Sequence, residues 1–207
     1  MMDQDFMQDM LDKALGVLQD TRKDGSSFCP VIAFFKDNIG GILPMTYRND
    51  EEKRTALRHA GKYLGLKGIH EFLFIDDTFF VMAKADDADQ VEKMKFIKEN
   101  WDTEKPSLYP PELRREALTM MVINFKDSTQ EAMWMAEYTT SGPNLILNGV
   151  EKSPDPEVAG LIKDYILEGF LIGVASTLGK ITSEEFAVHI DKEYPALQAY
   201  LKNHFNQ

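Results

Sequence analysis

The stretch from residue 69 to residue 138 most constrains the fold, because short apolar segments there flank a proline-rich bend at residues 105–118. The segment after the bend, residues 116–125, is apolar on both faces and is predicted to be a buried strand. Residues 132–139 place Ala132, Trp134, Ala136 and Tyr138 on one face and are predicted to return beside it as the second arm of a hairpin. These segments predict a sheet at the centre of the fold.

Helices and hairpins alternate in the rest of this part of the chain. Apolar residues at helical spacing predict the helices, and turn-forming residues such as Asp76-Asp77 predict the hairpins. The predicted elements are a helix at residues 3–20, a hairpin of residues 30–35 and 42–47, a helix at 51–66, a hairpin of residues 72–75 and 78–82, and a charged helix at 86–100. This order predicts an α+β fold, with an antiparallel sheet of about six strands in hairpins and helices packed on one face.

A turn-rich stretch at residues 141–156 predicts a boundary between two regions. We expect an α+β sheet domain at residues 1–145 and a helical C-terminal region at residues 146–207. The long apolar segment at residues 157–178 is predicted to be a helix, and Thr182 with Glu185 matches the capping box of the next one.

Composition excludes several classes of protein. The net charge of −11 opposes nucleic-acid binding, because neutralising phosphates requires clustered Lys and Arg. The longest apolar run, residues 165–178, is shorter than the ~20 residues that cross a bilayer. The single Cys29 cannot form an internal disulfide, which suits a reducing compartment. We therefore expect a soluble cytoplasmic protein that contacts no membrane.

Three carboxylates are the candidate catalytic residues. Asp76, Asp77 and Glu116 lie at predicted strand ends, where they could converge on a divalent cation, as a metal-dependent hydrolase requires. A tight turn explains Asp76-Asp77 with fewer assumptions and is the favoured interpretation. The four histidines lack the spacing of a metal site, so no metal and no cofactor are expected.

The proline-rich bend is the candidate partner-binding surface. Arg114 and Arg115, with the aromatic side chains of Trp101 and Tyr109, are expected to contact a protein partner. Arg114-Arg115-Glu116 can also be an ion-paired hinge where the charged excursion rejoins the sheet, and such exposed pairs contribute only ~0–1 kcal/mol.

The apolar helix at residues 157–178 carries a second candidate interface. Gly169 and Gly173 form a small-xxx-small pattern around Phe170, which lets two helices approach closely. Self-association through these residues would give a homo-oligomer. The alternative, which is the commoner use of this pattern in a soluble chain, is packing against the sheet of the same chain.

A resemblance to a protein family rests on two short motifs. Asp77-Thr78-Phe79 stands at the end of one strand, and a Pro-x-Arg-x-Glu-Ala element leads into the next. The residues of the second element are Pro110, Pro111, Arg115, Glu116, Ala117 and Leu118. Across roughly residues 28–140 the chain thus resembles an uncharacterised group of phage and bacterial proteins. It departs from that group's pattern by having Phe79 in place of Trp and by the inserted Glu112-Leu113. The resemblance implies a phage or mobile-element origin and no assigned function.

From the sequence we expect first a non-enzymatic protein that binds another macromolecule. The absence of a recognisable catalytic constellation in the sequence motivates this expectation. The alternatives are the metal-dependent hydrolase and a self-associating assembly subunit.

Overall fold

The structure, a computed structural model, describes residues 4–36, 39–81, 87–100, 113–127, 132–142, 144–153 and 160–197. In this part of the chain, six strands form one antiparallel sheet in the order β2-β1-β3-β4-β5-β6. The elements in chain order are α1 (Gln4–Asp24), β1 (Val31–Lys36), β2 (Ile39–Pro44), α2 (Asp50–Lys67), β3 (Glu71–Val81), α3 (Ala88–Asn100), β4 (Arg114–Asn124), β5 (Ala132–Ser141), β6 (Asn144–Ser153), α4 (Gly160–Leu178) and α5 (Ser183–Glu193). The predicted α+β class with an antiparallel sheet is confirmed.

The predicted hairpin around Asp76-Asp77 is wrong, because β3 runs through both aspartates without a turn. It pairs with β4 continuously, from Glu71 opposite Asn124 to Val81 opposite Arg114. The turn preference of Asp is a local effect of tenths of a kcal/mol to about 1 kcal/mol. Pairing along the whole of β4 and the ion pairs described below override it.

Helices cover both faces of the sheet, which corrects the prediction of helices on one face. The cause is visible in β3 and β4, where successive residues are apolar and therefore point to opposite sides. On the first face, α1 packs Met7, Leu11 and Leu18 against strand residues such as Leu73 and Ile75. On the second face, α2, α4 and α5 share one hydrophobic core with the alternate strand residues.

Helices α2 and α4 touch along a seam of glycines on the second face. A Cβ on Gly61 or Gly65 of α2 would collide with the backbone of α4, and one on Gly169 or Gly173 of α4 would collide with the backbone of α2. Phe170 is fully buried between them in the core. The small-xxx-small pattern of α4 therefore serves packing within the chain, and the expected self-association through Gly169, Phe170 and Gly173 is wrong.

Strand β6 was not predicted, and it changes the expected division of the chain. Gly142, with φ of +60°, makes the turn between β5 and β6, and the Asn148-Gly149 pair lies at an irregularity inside β6. The predicted boundary at residue 145 thus falls within a strand of the sheet. Helices α4 and α5 also bury side chains in the same core as the strands, so the predicted sheet domain and helical region do not separate there.

Helix α4 is apolar because the core surrounds it. Ile166, Leu167, Phe170 and Val174 are all buried. Among the helices that the structure describes, none is by itself both long and apolar enough to cross a membrane. The segments Lys163–Leu178 and Ser183–Glu193 meet that requirement only together, as a pair bent by 111°.

Candidate functional site

A charged cleft opens where β1 stops covering β3. Strand β1 pairs with β3 only at residues 72–75, so Asp76 and Asp77 lie just beyond the covered edge. The loops at residues 26–30 and 45–47 form the walls of a cleft of about 510 Å³. Its lining residues are Arg22, Ser26, Ser27, Phe28, Cys29, Pro30, Met45, Thr46, Tyr47, Asp76 and Asp77.

The Asp76 side chain points to the face that carries α2. It is only 6% exposed, and its Oδ2 lies 3.3 Å from Nζ of Lys53. Burial raises the pKa of Asp76 above its ordinary value, and the ammonium of Lys53 opposes that rise. Burial by itself lowers the pKa of Lys53, but Asp76 and Tyr47 outweigh this and raise it. The two side chains therefore form a desolvated ion pair, with the ring of Tyr47 5.2 Å from the ammonium.

The Asp77 side chain points to the opposite face, which carries α1. Nη2 of Arg22 lies 3.2 Å from Oδ2 of Asp77, 3.4 Å from Oε2 of Glu116 and 2.8 Å from the hydroxyl of Tyr138. The Tyr138 hydroxyl in turn donates to Oδ1 of Asp77. Burial raises the pKa of Tyr138, and its hydrogen bond to Asp77 raises the pKa further, since ionisation would place two anions side by side.

These contacts fix the relative positions of the three predicted catalytic carboxylates. Asp77 and Glu116 meet, but at the guanidinium of Arg22, and Asp76 leaves β3 on the other face, against Lys53. Among the residues that the structure describes, no group of three or more His, Cys, Asp and Glu side chains is placed to hold a metal ion. The geometry therefore gives the metal-dependent hydrolase no support.

The cleft can still form hydrogen bonds to a small polar molecule through its hydroxyl groups and carboxylates. Cys29 is partly buried in its wall, and no histidine is among the described lining residues, so no imidazole base faces the thiol there. Sequence reasoning missed the partners Arg22, Lys53 and Tyr138. They are distant along the chain, and only the packing of α1 and α2 on opposite faces brings them to β3.

Of the predicted partner-binding residues, Trp101 and Tyr109 lie outside the described residues. Arg114 and Arg115 begin β4, opposite Val81 and Phe80 of β3. Nε of Arg115 lies 3.5 Å from Oε1 of Glu137 on β5, so Arg115 is ion-paired across two strands. The sequence analysis expected an ion pair at this hinge but did not identify Glu137.

The outer edge of the sheet is a second candidate site. Strand β6 is the last in the sheet, and among the described residues β5 is the one strand that pairs with it. Three of its apolar side chains are largely exposed: Ile146 at 52%, Leu147 at 46% and Val150 at 44%. Gln19 of α1 accepts the backbone N–H of Leu145 at 2.8 Å, which caps the beginning of the strand. The three consecutive apolar residues before Asn148, Leu145 to Leu147, are typical of a strand, but the Asn148-Gly149 pair that follows them is typical of a turn.

The opposite edge, β2, differs in ways that hinder strand addition. It has six residues against the ten of β6. It ends at Pro44, which has no N–H to donate, and within sheets proline is typical of edge strands. Gly40 and Gly41 lie against the rings of Phe35 and Phe34. Natural sheets protect their edges with prolines and short strands, and β6 has neither; its protection is the irregularity at Asn148.

Comparisons with protein families, with curated proteins and with solved structures find no match for this chain. The argument for function therefore rests on the site geometry alone. The resemblance of the proline-rich bend to phage and bacterial proteins stays a prediction.

Proposed function

We propose that the protein works without catalysis by binding another macromolecule, a protein, and that the β6 edge is the surface it uses. The observation that carries this proposal is the exposure of Ile146, Leu147 and Val150 on an edge strand of ten residues. Long apolar edge strands are rare on proteins that stay alone, because they add to any available strand.

The energetics of the edge support the same proposal. Apart from the N–H of Leu145, which donates to Gln19, a partner strand would supply the hydrogen bonds that the outward N–H and C=O groups of β6 otherwise make with water. It would also remove apolar side chains from water, at about 25 cal/mol for each Å² of apolar area. Backbone hydrogen bonds would give affinity to any strand, and the side chains of β6 would decide which strand fits.

The ion pairs of the charged cleft support a binding role over a catalytic one. Arg22 and Lys53 each neutralise a carboxylate of β3, which fixes the strand and leaves neither Asp76 nor Asp77, the carboxylates among the described lining residues, without a cation. In this proposal the ion pairs of the cleft attach α1 and α2 to the sheet. The second surface, at Arg114, Arg115, Trp101 and Tyr109, stays a prediction.

Site-specific photo-crosslinking in cells that express the full chain tests the proposal. A photo-reactive benzoylphenylalanine is placed at Val150 on β6 and, as the matched control, at Ile42 on the opposite edge, where the side chain is 62% exposed. We expect a covalent adduct of one defined mass from position 150 and none from position 42. A second change, Ile146→Lys in the protein with the label at 150, is expected to remove the adduct.

The result against the proposal is equally specific. If positions 150 and 42 give no adduct, or the same mixture of adducts, β6 is not a binding surface. The identity of the adduct, by mass spectrometry, then separates a second copy of the chain from a different protein.

A further inference from the structure

We propose that the partner of β6 is a second copy of this chain, with the two β6 strands antiparallel about a two-fold axis between Asn148 and Gly149. This inference rests on the proposed function, because it names the occupant of the same edge. It is carried by the register of β6, by the irregularity within the strand and by its charge.

The register places two exposed apolar side chains of β6 on one face. Leu147 is opposite Tyr138 of β5, and Val150 is opposite Ala136. Both Tyr138 and Ala136 belong to the core under α1, so Leu147 and Val150 point to that same side of the sheet. In a regular strand, residues three apart point to opposite sides of the sheet. Here the register shift beside Glu137 and Tyr138 leaves Asn148 as an extra residue, so Leu147 and Val150 point to the same side.

That arrangement is self-complementary. In an antiparallel pair about an axis between Asn148 and Gly149, Leu147 of each copy lies opposite Val150 of the other. A two-fold interface requires this, because the same residues must serve both sides of the contact. Side chains directly opposite each other in such a pair have Cβ atoms about 4.5–5.5 Å apart, which is close enough for apolar contact.

The irregularity of β6 also restricts which strand can add to it. A bulge bends the strand and increases its twist, so a straight strand cannot follow the edge over its whole length. A second copy carries the same bend at the same distance from the axis. The feature that discourages other strands therefore favours this one.

Charge at the edge itself permits the same occupant. The chain has a net charge of −11, but the residues of β6, Asn-Leu-Ile-Leu-Asn-Gly-Val-Glu-Lys-Ser, include one acid and one base. Two copies can meet at this neutral strand, although the rest of their surfaces repel. Salt screens that repulsion beyond a distance of ~10 Å at 0.1 M ionic strength, so association is expected to strengthen as salt is added.

The size of the contact predicts a reversible dimer. Stable interfaces bury about 800 Å² on each partner, and one pair of edge strands with a few apolar side chains buries less than that. The protein is therefore expected to exchange between monomer and dimer over an accessible range of concentration.

Analytical ultracentrifugation of the purified full chain tests the inference. The mass is expected to rise from the 23.6 kDa of the monomer toward twice that value as the concentration increases, and to rise further at high ionic strength. Leu147→Lys and Val150→Glu are each expected to weaken the dimer at least tenfold. Val188→Lys, at a 68% exposed valine of α5, is the matched control and is expected to leave association unchanged.

Mixing the two variants tests the register itself. In the proposed pairing, Lys at position 147 of one copy lies opposite Glu at position 150 of the other, so the mixture is expected to recover dimers that neither variant forms alone. All of these sites are exposed, and circular dichroism checks that each variant is folded.

Three results would overturn the inference. A wild-type chain that stays monomeric at every concentration and salt excludes the second copy. Association that Leu147→Lys and Val150→Glu leave intact places the dimer contact elsewhere, and loss without recovery in the mixture excludes the proposed register. If the chain is monomeric while position 150 still gives a crosslinked adduct in cells, the second copy is excluded but the proposed function is not.

Discussion

Gly169→Ala is expected to loosen the seam between α2 and α4 and to destabilise the protein. A Cβ at this position would lie 2.9 Å from the backbone N of Lys62 and still closer to the carbonyl oxygen of Arg58. Both neighbours are backbone atoms of a helix, so no side-chain rotation can relieve the clash. Because the Arg58 oxygen is nearer still, the helices must move apart by more than 0.5 Å, the difference between the 2.9 Å to Lys62 N and the 3.4 Å of ordinary contact.

The size of the effect follows from two opposing terms. Alanine favours the helix over glycine by about 1 kcal/mol. Overpacking costs about 1–3 kcal/mol, and the upper end applies here because a separation of 0.5–1 Å loses a quarter to a half of each dispersion contact across the seam. The net loss in the free energy of unfolding is therefore about 2 kcal/mol, or a Tm lower by roughly 4–8 °C for a chain of this size.

Thermal and urea unfolding followed by circular dichroism measure this loss, and Gly16→Ala is the matched control. Gly16 lies within α1 with no atom within 4 Å of an added Cβ, so the same substitution there is expected to stabilise the protein by about 0.5–1 kcal/mol. A lower free energy of unfolding for Gly169→Ala and a higher one for Gly16→Ala would support the close contact between α2 and α4. A Gly169→Ala protein as stable as the wild type would refute the reasoning.

Three further predictions concern the cleft and α5. Lys53→Met is expected to cost about 1–3 kcal/mol in urea unfolding, because it leaves the buried Asp76 without its cation, and adding Asp76→Leu is expected to recover most of that loss. The folded protein raises the pKa of Tyr138 above its ordinary 10.0, so the stabilisation from this group is present below pH 10.0 and is lost as pH rises through the folded pKa. In the wild type the urea midpoint should therefore fall above pH 10.0, and Tyr138→Phe should make that fall shallower. An equally steep fall in the variant would contradict this. Thr182→Ala is expected to cost about 1 kcal/mol, because it removes the hydrogen bond from Glu185 N–H to the Thr182 hydroxyl, whereas Thr182→Ser should cost little.

Local signals in the sequence predicted most of the elements. Asn49 caps α2, and Gly68, with φ of 62°, ends it, as the residue types indicate. The capping box at Thr182 and Glu185 is present at the start of α5. Caps and amphipathic stripes are decided by residues close in the chain, which is why sequence reasoning finds them.

The errors arise where distant parts of the chain decide the outcome. Asp76 and Asp77 favour a turn locally, but each has a cation from a different helix, Lys53 on one face and Arg22 on the other. Gly169 and Gly173 suggested an interface between two chains. The helix that packs against them is α2, whose Gly61 and Gly65 lie more than a hundred residues earlier in the same chain. Strand β6 was hidden by turn residues, although Leu145, Ile146 and Leu147 form a short apolar run. The same limit applies to the site, because the sequence marks the carboxylates but not the partners that neutralise them.

Hydrogen exchange at the backbone amides of β6 is the most direct test of whether a partner strand covers this edge. The full chain is measured by mass spectrometry at micromolar and at near-millimolar concentration, with β2 as the internal reference. We expect exchange to slow in residues 146–152 at the higher concentration while Ile39–Pro44 is unaffected. Exchange in β6 that is as fast at both concentrations, in a protein whose mass has doubled, would contradict it.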